Sequence, residues 1–165
     1  MEIIYPPTFI TSLTNKHLLL DTNIFRDAAV NHSVFIEFFN QLKSNNTTIV
    51  TTDFVKYELL KGSANPSKYN DKEQLIHTII DMTIPIQSTM ITVAYNLIRE
   101  YGIDGAALSV TDLVLGAVLM QYKQGIFLMT RDTTDFTQKV FDLKYIINAP
   151  FSKGIFTYGI YQYDK

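Results

Sequence analysis

The sequence has 165 residues, a length that favours one domain over residues 1–165 on a prior of about 150 residues per domain. Apolar residues make up 47% of it, including 11 Phe and 10 Tyr, so a core can form without covalent cross-links. The 14 basic and 16 acidic residues give a formal net charge of −2, which excludes bulk electrostatic binding of nucleic acid. The lack of cysteine excludes disulfides, thiolate zinc sites, iron–sulfur clusters and cysteine nucleophiles.

Two features of the sequence predict a cytoplasmic protein with no membrane association. Residues 1–16, MEIIYPPTFITSLTNK, do not combine a basic start with an apolar stretch, so they do not resemble a secretory signal. The longest apolar run, residues 113–120, is far too short to cross a bilayer.

The predicted elements alternate between strands and helices. Short continuous apolar runs predict strands that are covered on both faces, and apolar residues at helical spacing predict helices. In chain order we predict a strand at 16–21, helices at 23–30 and 33–43, a strand at 47–51, helices at 52–61, 72–82, 88–101 and 110–122, and strands at 126–130, 144–148 and 154–163. Residues 61–71 are predicted to be a loop between two helices. This alternation predicts an α/β sandwich around a mainly parallel sheet.

Asp21 ends the first predicted strand, at the sheet edge where open α/β folds bind their ligands. The alternative is a cap for the helix that begins at Asn23. The tripeptide Asp-Thr-Asn offers more capping groups than one helix start needs, and this favours a functional role for Asp21.

Glu58 shares the apolar face of its predicted helix, four residues after Phe54 and three after Val55. Glutamate is rarely buried unless it is paired or bound to a metal. The alternative is a partly exposed residue at the rim, paired with Lys61, and the sequence leaves both open.

Asp112 lies in Ser109-Val-Thr-Asp, which matches a capping box at the start of a helix. Capping is the better explanation for this residue alone, but one carboxylate oxygen could still face a pocket.

Asp132 follows the strand IFLMT and one Arg, and Asp135 could take its place or cap a short helix near Phe136. Each acid has a structural explanation by itself. The pattern of all four, Asp21, Glu58, Asp112 and Asp132, is harder to explain in this way, and they would converge on one crevice only if a divalent cation or a basic ligand neutralised them.

Four motifs contain these acids, namely LLLDTNIF at 18–25, TTDFVKYELLKGS at 51–63, SVTDLVLGAVLMQY at 109–122 and IFLMTRDTTDF at 126–136. With these motifs the chain resembles the PIN-domain family, and most closely the VapC-like toxins of bacterial toxin–antitoxin systems. They occur in the family's order and span most of the chain. Two segments depart from the family pattern, an N-terminal extension at 1–16 and an aromatic tail at 150–165.

The resemblance implies a three-layer α/β/α fold and a metal-dependent endoribonuclease, a cytoplasmic hydrolase that acts on RNA phosphodiester bonds. Its Mg²⁺ or Mn²⁺ would be held by four catalytic acids, Asp21, Glu58, Asp112 and Asp132, with Asp21 and Asp112 as direct ligands. Polar side chains expected to support the acids or contact RNA phosphates are Thr22, Asn23, Thr130 and Arg131. Other cations that could hold phosphates are Arg26, Lys56 and Lys61.

The resemblance also implies partners, namely an RNA substrate and a cognate antitoxin protein. A homodimer is predicted from this family habit and from the aromatic helix at 33–39 and the Tyr-rich tail. The alternative function is a PIN-fold module that binds RNA or protein without turnover. A histidine-based ribonuclease is disfavoured because His17, His32 and His77 lie in unrelated elements, and Lys144 is poorly placed for a receiver-type phospho-acceptor.

Overall fold

The fold is α/β, and its elements are described for residues 2–101 and 108–165 in a computed structural model. Within these residues the chain forms seven α-helices and six β-strands. The helices are α1 Phe9–Ser12, α2 Thr22–Val30, α3 His32–Ser44, α4 Asp53–Leu60, α5 Pro66–Ile79, α6 Ser88–Tyr101 and α7 Val110–Tyr122. The strands are β1 His17–Leu20, β2 Thr48–Thr52, β3 Met82–Ile84, β4 Ile126–Thr130, β5 Asp142–Phe151 and β6 Gly154–Gln162.

The strands form one mixed sheet in the order β3-β2-β1-β4-β6-β5. The first four strands are parallel neighbours, whereas β6 pairs antiparallel with both β4 and β5. The expectation of a mainly parallel sheet therefore holds for the part built from β1 to β4. The final pair departs from it because β5 and β6 are joined by a short turn, and strands joined in this way must be antiparallel.

Strong periodicity predicted several elements correctly, and weak or mixed signals did not. The predicted helices at 88–101 and 110–122 and the strand at 126–130 match α6, α7 and β4 residue for residue. The predicted loop at 61–71 is wrong in its second half, because α5 already begins at Pro66. Asn65 caps that helix by accepting a hydrogen bond from the Lys68 backbone N–H at 2.9 Å.

Besides the 3₁₀ helix Lys123–Gly125, two short elements were not predicted, and the first of them, β3, includes the last residue of the predicted helix at 72–82. The second, α1, lies in the N-terminal extension. The segment around Phe136 forms turns instead of the short helix considered for it, and β5 extends well beyond the predicted 144–148.

The buried side chains explain why the extension and the tail are part of the fold. Phe9 and Leu13 of the extension are fully buried, and Ile4 pairs with Asn148 on the outer strand β5. In the tail, Tyr158 and Tyr161 of β6 are buried in the core.

The aromatic helix α3 is likewise turned inward, with Phe35, Phe38 and Phe39 all buried. Because these rings are buried, they do not form the exposed aromatic surface from which a homodimer was predicted. The homodimer therefore stays a prediction from the family resemblance. Over residues 2–101 and 108–165, no helix has the length and apolar character needed to span a membrane.

Register in the middle of the sheet brings two strand ends together. Leu20 at the end of β1 is paired with Met129 in β4, and the Asp21 backbone N–H donates to the Met129 carbonyl at 3.2 Å. Every residue of β4 and three of four in β1 are buried, so both faces of the sheet are covered here. The residues that follow these strands therefore emerge at one carboxyl edge of the sheet.

Candidate functional site

A cavity of about 530 Å³ lies at this edge and collects the acids that the sequence singled out. Its acidic lining residues are Asp21, Glu58, Asp112, Asp132 and Asp135. They come from the end of β1, from α4, from the first turn of α7 and from the turns after β4. The four predicted acids and the alternative fourth acid thus share one cavity, as their positions in the sequence predicted.

Asp21 is the most enclosed of these acids, with only 5% of its surface exposed. It caps α2 by accepting from the Thr22 backbone N–H at 2.6 Å, so the capping and cavity-lining explanations both apply. Burial raises its pKa from the usual 3.8 to about 6, hydrogen bonds from Thr130 and Thr22 oppose this rise, and the charges of Asp112 and Glu58 add to it.

Asn23 and Thr130 hold the Asp21 carboxylate in place. Asp21 Oδ2 accepts from Asn23 Nδ2 at 2.9 Å and from Thr130 Oγ1 at 2.6 Å. Asn23 Oδ1 in turn accepts from the Arg131 backbone N–H, and Thr130 Oγ1 accepts from the Asp132 backbone N–H. This chain of hydrogen bonds fixes the start of α2 against the end of β4.

Thr22 lines the cavity and has a side-chain oxygen without a hydrogen bond. Its side chain is buried, and Oγ1 has no hydrogen-bond partner among the described residues. An unsatisfied buried hydroxyl costs about 1–3 kcal/mol, so such atoms usually have a ligand or water as partner.

Glu58 lies at the cavity's rim with about 30% of its side chain exposed. Its cationic neighbour is Arg26, with Arg26 Nη2 3.7 Å from Glu58 Oε1. Lys61, the partner considered from the sequence, instead has its ammonium over the Tyr57 ring, 5.5 Å from the centroid. The exposed-rim alternative is therefore right about exposure and wrong about the partner.

Asp112 forms the predicted capping box with Ser109 at the start of α7. The Asp112 backbone N–H donates to Ser109 Oγ at 3.1 Å, and Asp112 Oδ2 accepts from the Ser109 backbone N–H at 3.3 Å. Asp112 also lines the cavity, and its charge raises the pKa values of both Asp21 and Asp135. Capping and cavity lining coexist in this residue.

Asp132 and Asp135 differ in their environments although both line the cavity. Asp132 Oδ1 accepts from the Thr134 backbone N–H, the Thr134 hydroxyl and the Asp135 backbone N–H. Burial tends to raise the pKa of Asp132, but these hydrogen bonds outweigh it and lower the pKa. Burial and the charges of Asp132 and Asp112 raise the pKa of Asp135 to about 6.

The chemistry of the cavity suits a hard divalent cation, although the acids are spread apart. Carboxylate and hydroxyl oxygens are the donors that Mg²⁺ and Mn²⁺ prefer, and Mg²⁺ usually keeps several waters between itself and the protein. Within the part of the chain that the structure describes, no three His, Asp or Glu side chains lie close enough to form a ready-made metal site.

Two arginines line the same cavity as the acids. Arg26 contributes from α2, and Arg131 follows β4. Of the two predicted lysines, Lys56 is paired with Asp53 at 3.7 Å, and Lys61 lines a neighbouring groove beside Tyr57.

Sequence reasoning missed Asp27, which is buried in α2 and paired with Arg131. The signal was present, because Asp27 lies three residues after Ile24 and therefore on the same side of that helix.

Comparison with known proteins identifies neither a family nor a function for the chain. No family model matches the chain, and no curated protein and no solved structure matches it. The function is therefore argued from the residues of the cavity.

Proposed function

We propose that this protein is a metal-dependent endoribonuclease of the PIN type, a toxin of a toxin–antitoxin pair that hydrolyses RNA phosphodiesters at the acidic cavity. The observation that supports this most directly is the convergence of Asp21, Glu58, Asp112 and the acid pair after β4 on one cavity. The charges of neighbouring acids raise the pKa values of Asp21 and Asp135, and like charges held together destabilise a fold unless something positive balances them.

The proposed fold family is consistent with the coarser architecture. The family's three-layer α/β/α arrangement would be built around the parallel strands β1 to β4, which are the strands that deliver Asp21 and the acid pair. On this proposal the protein is a cytoplasmic homodimer, and its toxicity is controlled by an antitoxin.

Hydrolysis of a phosphodiester needs a water nucleophile, an in-line approach and neutralisation of the phosphate's charge. When bound, Mg²⁺ or Mn²⁺ supplies Lewis-acid chemistry of this kind. Asp21 and Asp112 would hold the cation, with Glu58 at the rim to orient the attacking water. Thr130 and Asn23 keep the Asp21 oxygens fixed, and Arg131 and Arg26 would bind phosphates on either side.

For the fourth acid we favour Asp135 over Asp132, which the sequence favoured. The Oδ1 atom of Asp132 is occupied by three hydrogen bonds within its own turn. Asp135 lines the cavity and is subject to the charges of both Asp132 and Asp112, so a cation held there would relieve this repulsion.

One observation favours the alternative, a PIN-fold module that binds RNA or protein without turnover. Among residues 2–101 and 108–165, the acids do not form a ready-made cluster for a metal. A binding module would use Arg131 and Arg26 without needing a cation.

The replacement Asp112→Asn, studied with Mn²⁺ and with EDTA, tests the proposal. Mn²⁺ at a hundredfold excess over Kd should stabilise the parent by about 2.7 kcal/mol and the variant by clearly less. RNA cleavage by the parent should require the metal, and the variant should not cleave. Without metal, the variant should be about as stable as the parent, because lost repulsion offsets a helix-dipole term of about 0.3–1 kcal/mol.

Asp53→Asn is the matched control, because Asp53 also lies in the first turn of a helix but does not line the acidic cavity. It should keep both cleavage and the full metal shift. Retained cleavage in Asp112→Asn, or equal metal shifts in the two variants, would refute the metal-site assignment. Specific RNA binding by a parent that never cleaves would favour the binding module.

A further inference from the structure

Arg131 is held at the mouth of the acidic cavity by several contacts at once. Its backbone N–H donates to Asn23 Oδ1 at 3.1 Å, and its Nη1 lies 3.2 Å from Asp27 Oδ1. Its guanidinium carbon lies over the Phe156 ring, 4.6 Å from the centroid. An arginine on a protein surface normally keeps much of its rotamer freedom, whereas this one is restrained at both ends.

The groups that restrain Arg131 are themselves fixed. Asp27 is buried in α2, and its Oδ2 accepts a hydrogen bond from the Tyr158 hydroxyl at 2.9 Å. Tyr158 is fully buried and packs edge-on against Phe35, with ring centroids 6.0 Å apart. Phe156 and Tyr158 lie two residues apart on β6 and so point to the same face of that strand.

Stability alone is a poor explanation for this arrangement. Burying the Asp27 carboxylate costs desolvation energy, and an ion pair with a partly exposed guanidinium recovers little of such a cost. Desolvation raises the pKa of Asp27 even though Tyr158 and Arg131 oppose the rise. A pair that contributes little to folding but fixes one arginine beside a cavity is better explained by what the arginine binds.

The guanidinium retains capacity for a ligand. It carries five N–H donors, and the contact to Asp27 uses the Nη1 end. About 39% of the side chain is exposed, and Arg131 lines the cavity together with the acids. A planar, pre-oriented guanidinium is well suited to a phosphate, which it can bind through two hydrogen bonds.

We propose that Asp27, Tyr158 and Phe156 are positioning residues that hold Arg131 as the anchor for an RNA phosphate next to the one that is cleaved. This inference rests on the proposed function and deepens it by assigning a phosphate-binding position to one side of the acidic cavity. The hydrogen bond from Arg131 to Asn23, which also holds Asp21, keeps the anchor and the acids in a fixed relation.

The experiment measures binding of a short fluorescein-labelled single-stranded RNA of mixed sequence by anisotropy in EDTA, where metal-dependent cleavage does not occur. Arg131→Gln should weaken binding about tenfold, the loss expected for one charge-assisted hydrogen-bonding anchor. It should also reduce the slope of log Kd against log salt by about 0.7, the value for one phosphate contact on a single strand. Lys144→Gln is the control, because it removes a cation that is paired with Asp164 and does not line the cavity.

Two charge-neutral variants and one charge-changing variant test the positioning. Tyr158→Phe removes only the hydroxyl and Phe156→Leu only the ring, and each should weaken binding measurably. Asp27→Asn adds one unit of positive net charge, so electrostatics alone predicts tighter binding, whereas loss of positioning predicts weaker binding. Combined with Arg131→Gln, none of the three should weaken binding further, because each acts through Arg131.

The outcomes separate this inference from the proposed function. Tighter binding by Asp27→Asn, or an unchanged Kd for Arg131→Gln, overturns the inference even if the parent cleaves RNA with Mn²⁺. Arg131-dependent binding by a parent that never cleaves supports the anchor and refutes the nuclease. A parent that neither binds nor cleaves RNA refutes both.

Discussion

Replacing Asp21 by Asn in the metal-free protein should change how its stability depends on pH. The carboxylate is enclosed at the end of β1, and burial raises its pKa from 3.8 to about 6, against hydrogen bonds from Thr130 and Thr22. The charges of Asp112 and Glu58 add to the rise. Asp21 should therefore resist ionisation in the folded state and ionise freely in the unfolded state.

The sign and size of the effect follow from this difference. The folded state binds the proton more tightly than the unfolded state, so Asp21 favours folding at low pH, and this contribution is lost as the pH rises from about 4 through 6. A difference of about two pKa units corresponds to about 3 kcal/mol at 1.36 kcal/mol per unit. The loss should be complete by about pH 7.

Urea unfolding in EDTA across this pH range, with parent and variant measured side by side, isolates the contribution of Asp21. Other titrating groups occur in both proteins and largely cancel in the difference. Asp21→Asn should gain about 2.4 kcal/mol relative to the parent between pH 4 and pH 7, because a small part of the total is already lost by pH 4. Its offset at pH 4 reports the hydrogen bonds that an amide cannot reproduce.

Asp164→Asn is a control with the opposite sign. Hydrogen bonds from Lys144 and Gln124 lower the pKa of Asp164, so its contribution to stability is present at neutral pH and lost on acidification. This variant should lose stability relative to the parent as the pH rises. A difference between parent and Asp21→Asn that does not change with pH, or that shifts in favour of the parent as the pH rises, would refute the argument that the fold desolvates the Asp21 charge.

Three further predictions concern the acid pair, the core and the assembly. Asp135→Asn should reduce RNA cleavage more than Asp132→Asn, in a single-turnover assay with Mn²⁺, and the reverse order would restore Asp132 as the fourth acid. Gly159→Ala should destabilise the protein by about 1–3 kcal/mol in thermal melts, because an added Cβ would overlap the buried Tyr161 ring, with Cζ only 2.9 Å away. An unchanged Tm would show that the ring can move. Light scattering at micromolar concentration should give twice the 18.9 kDa chain mass, and a monomeric mass would contradict the predicted homodimer.

The fold was predictable where one signal dominated. The helix α7 and the strand β4 are nearly all apolar and are bounded by clear caps and turns, so their limits could be predicted closely. The start of α5 was misjudged because Lys, Ser, Asn and Pro around residue 65 are typical of loops. In that segment Asn65 and Pro66 are the cap and first residue of a helix.

Long-range pairing explains most of what could not be predicted. The strand β3 has three residues and is specified by its partner, since the Ile49 backbone N–H donates to Asp81 Oδ2 and the Asp81 N–H to the Ile49 carbonyl. No local pattern of that length distinguishes a strand from the end of a helix. The order of strands in the mixed part of the sheet is set in the same way.

The candidate site was predictable in its members but not in their pairings. Carboxyl ends of neighbouring parallel strands meet at one edge, so Asp21 and the acids after β4 could be expected together. The Glu58–Arg26 pair joins α4 to α2, and the Asp27–Arg131 pair joins α2 to the segment after β4. Such pairs depend on how elements pack, and spacing along the chain carries no information about them.

The choice between Asp132 and Asp135 shows the same limit at the shortest range. Both follow β4 within six residues, and a motif assigns the role to whichever acid stands nearest the Thr-Arg pair. In the fold, Asp132 organises its own turn through three hydrogen bonds, which hold its pKa low. Asp135 lines the same cavity, and burial together with the charges of Asp132 and Asp112 raises its pKa to about 6. Asp132 therefore builds the turn while it lines the cavity, whereas Asp135 carries the carboxylate repulsion that a bound cation would relieve.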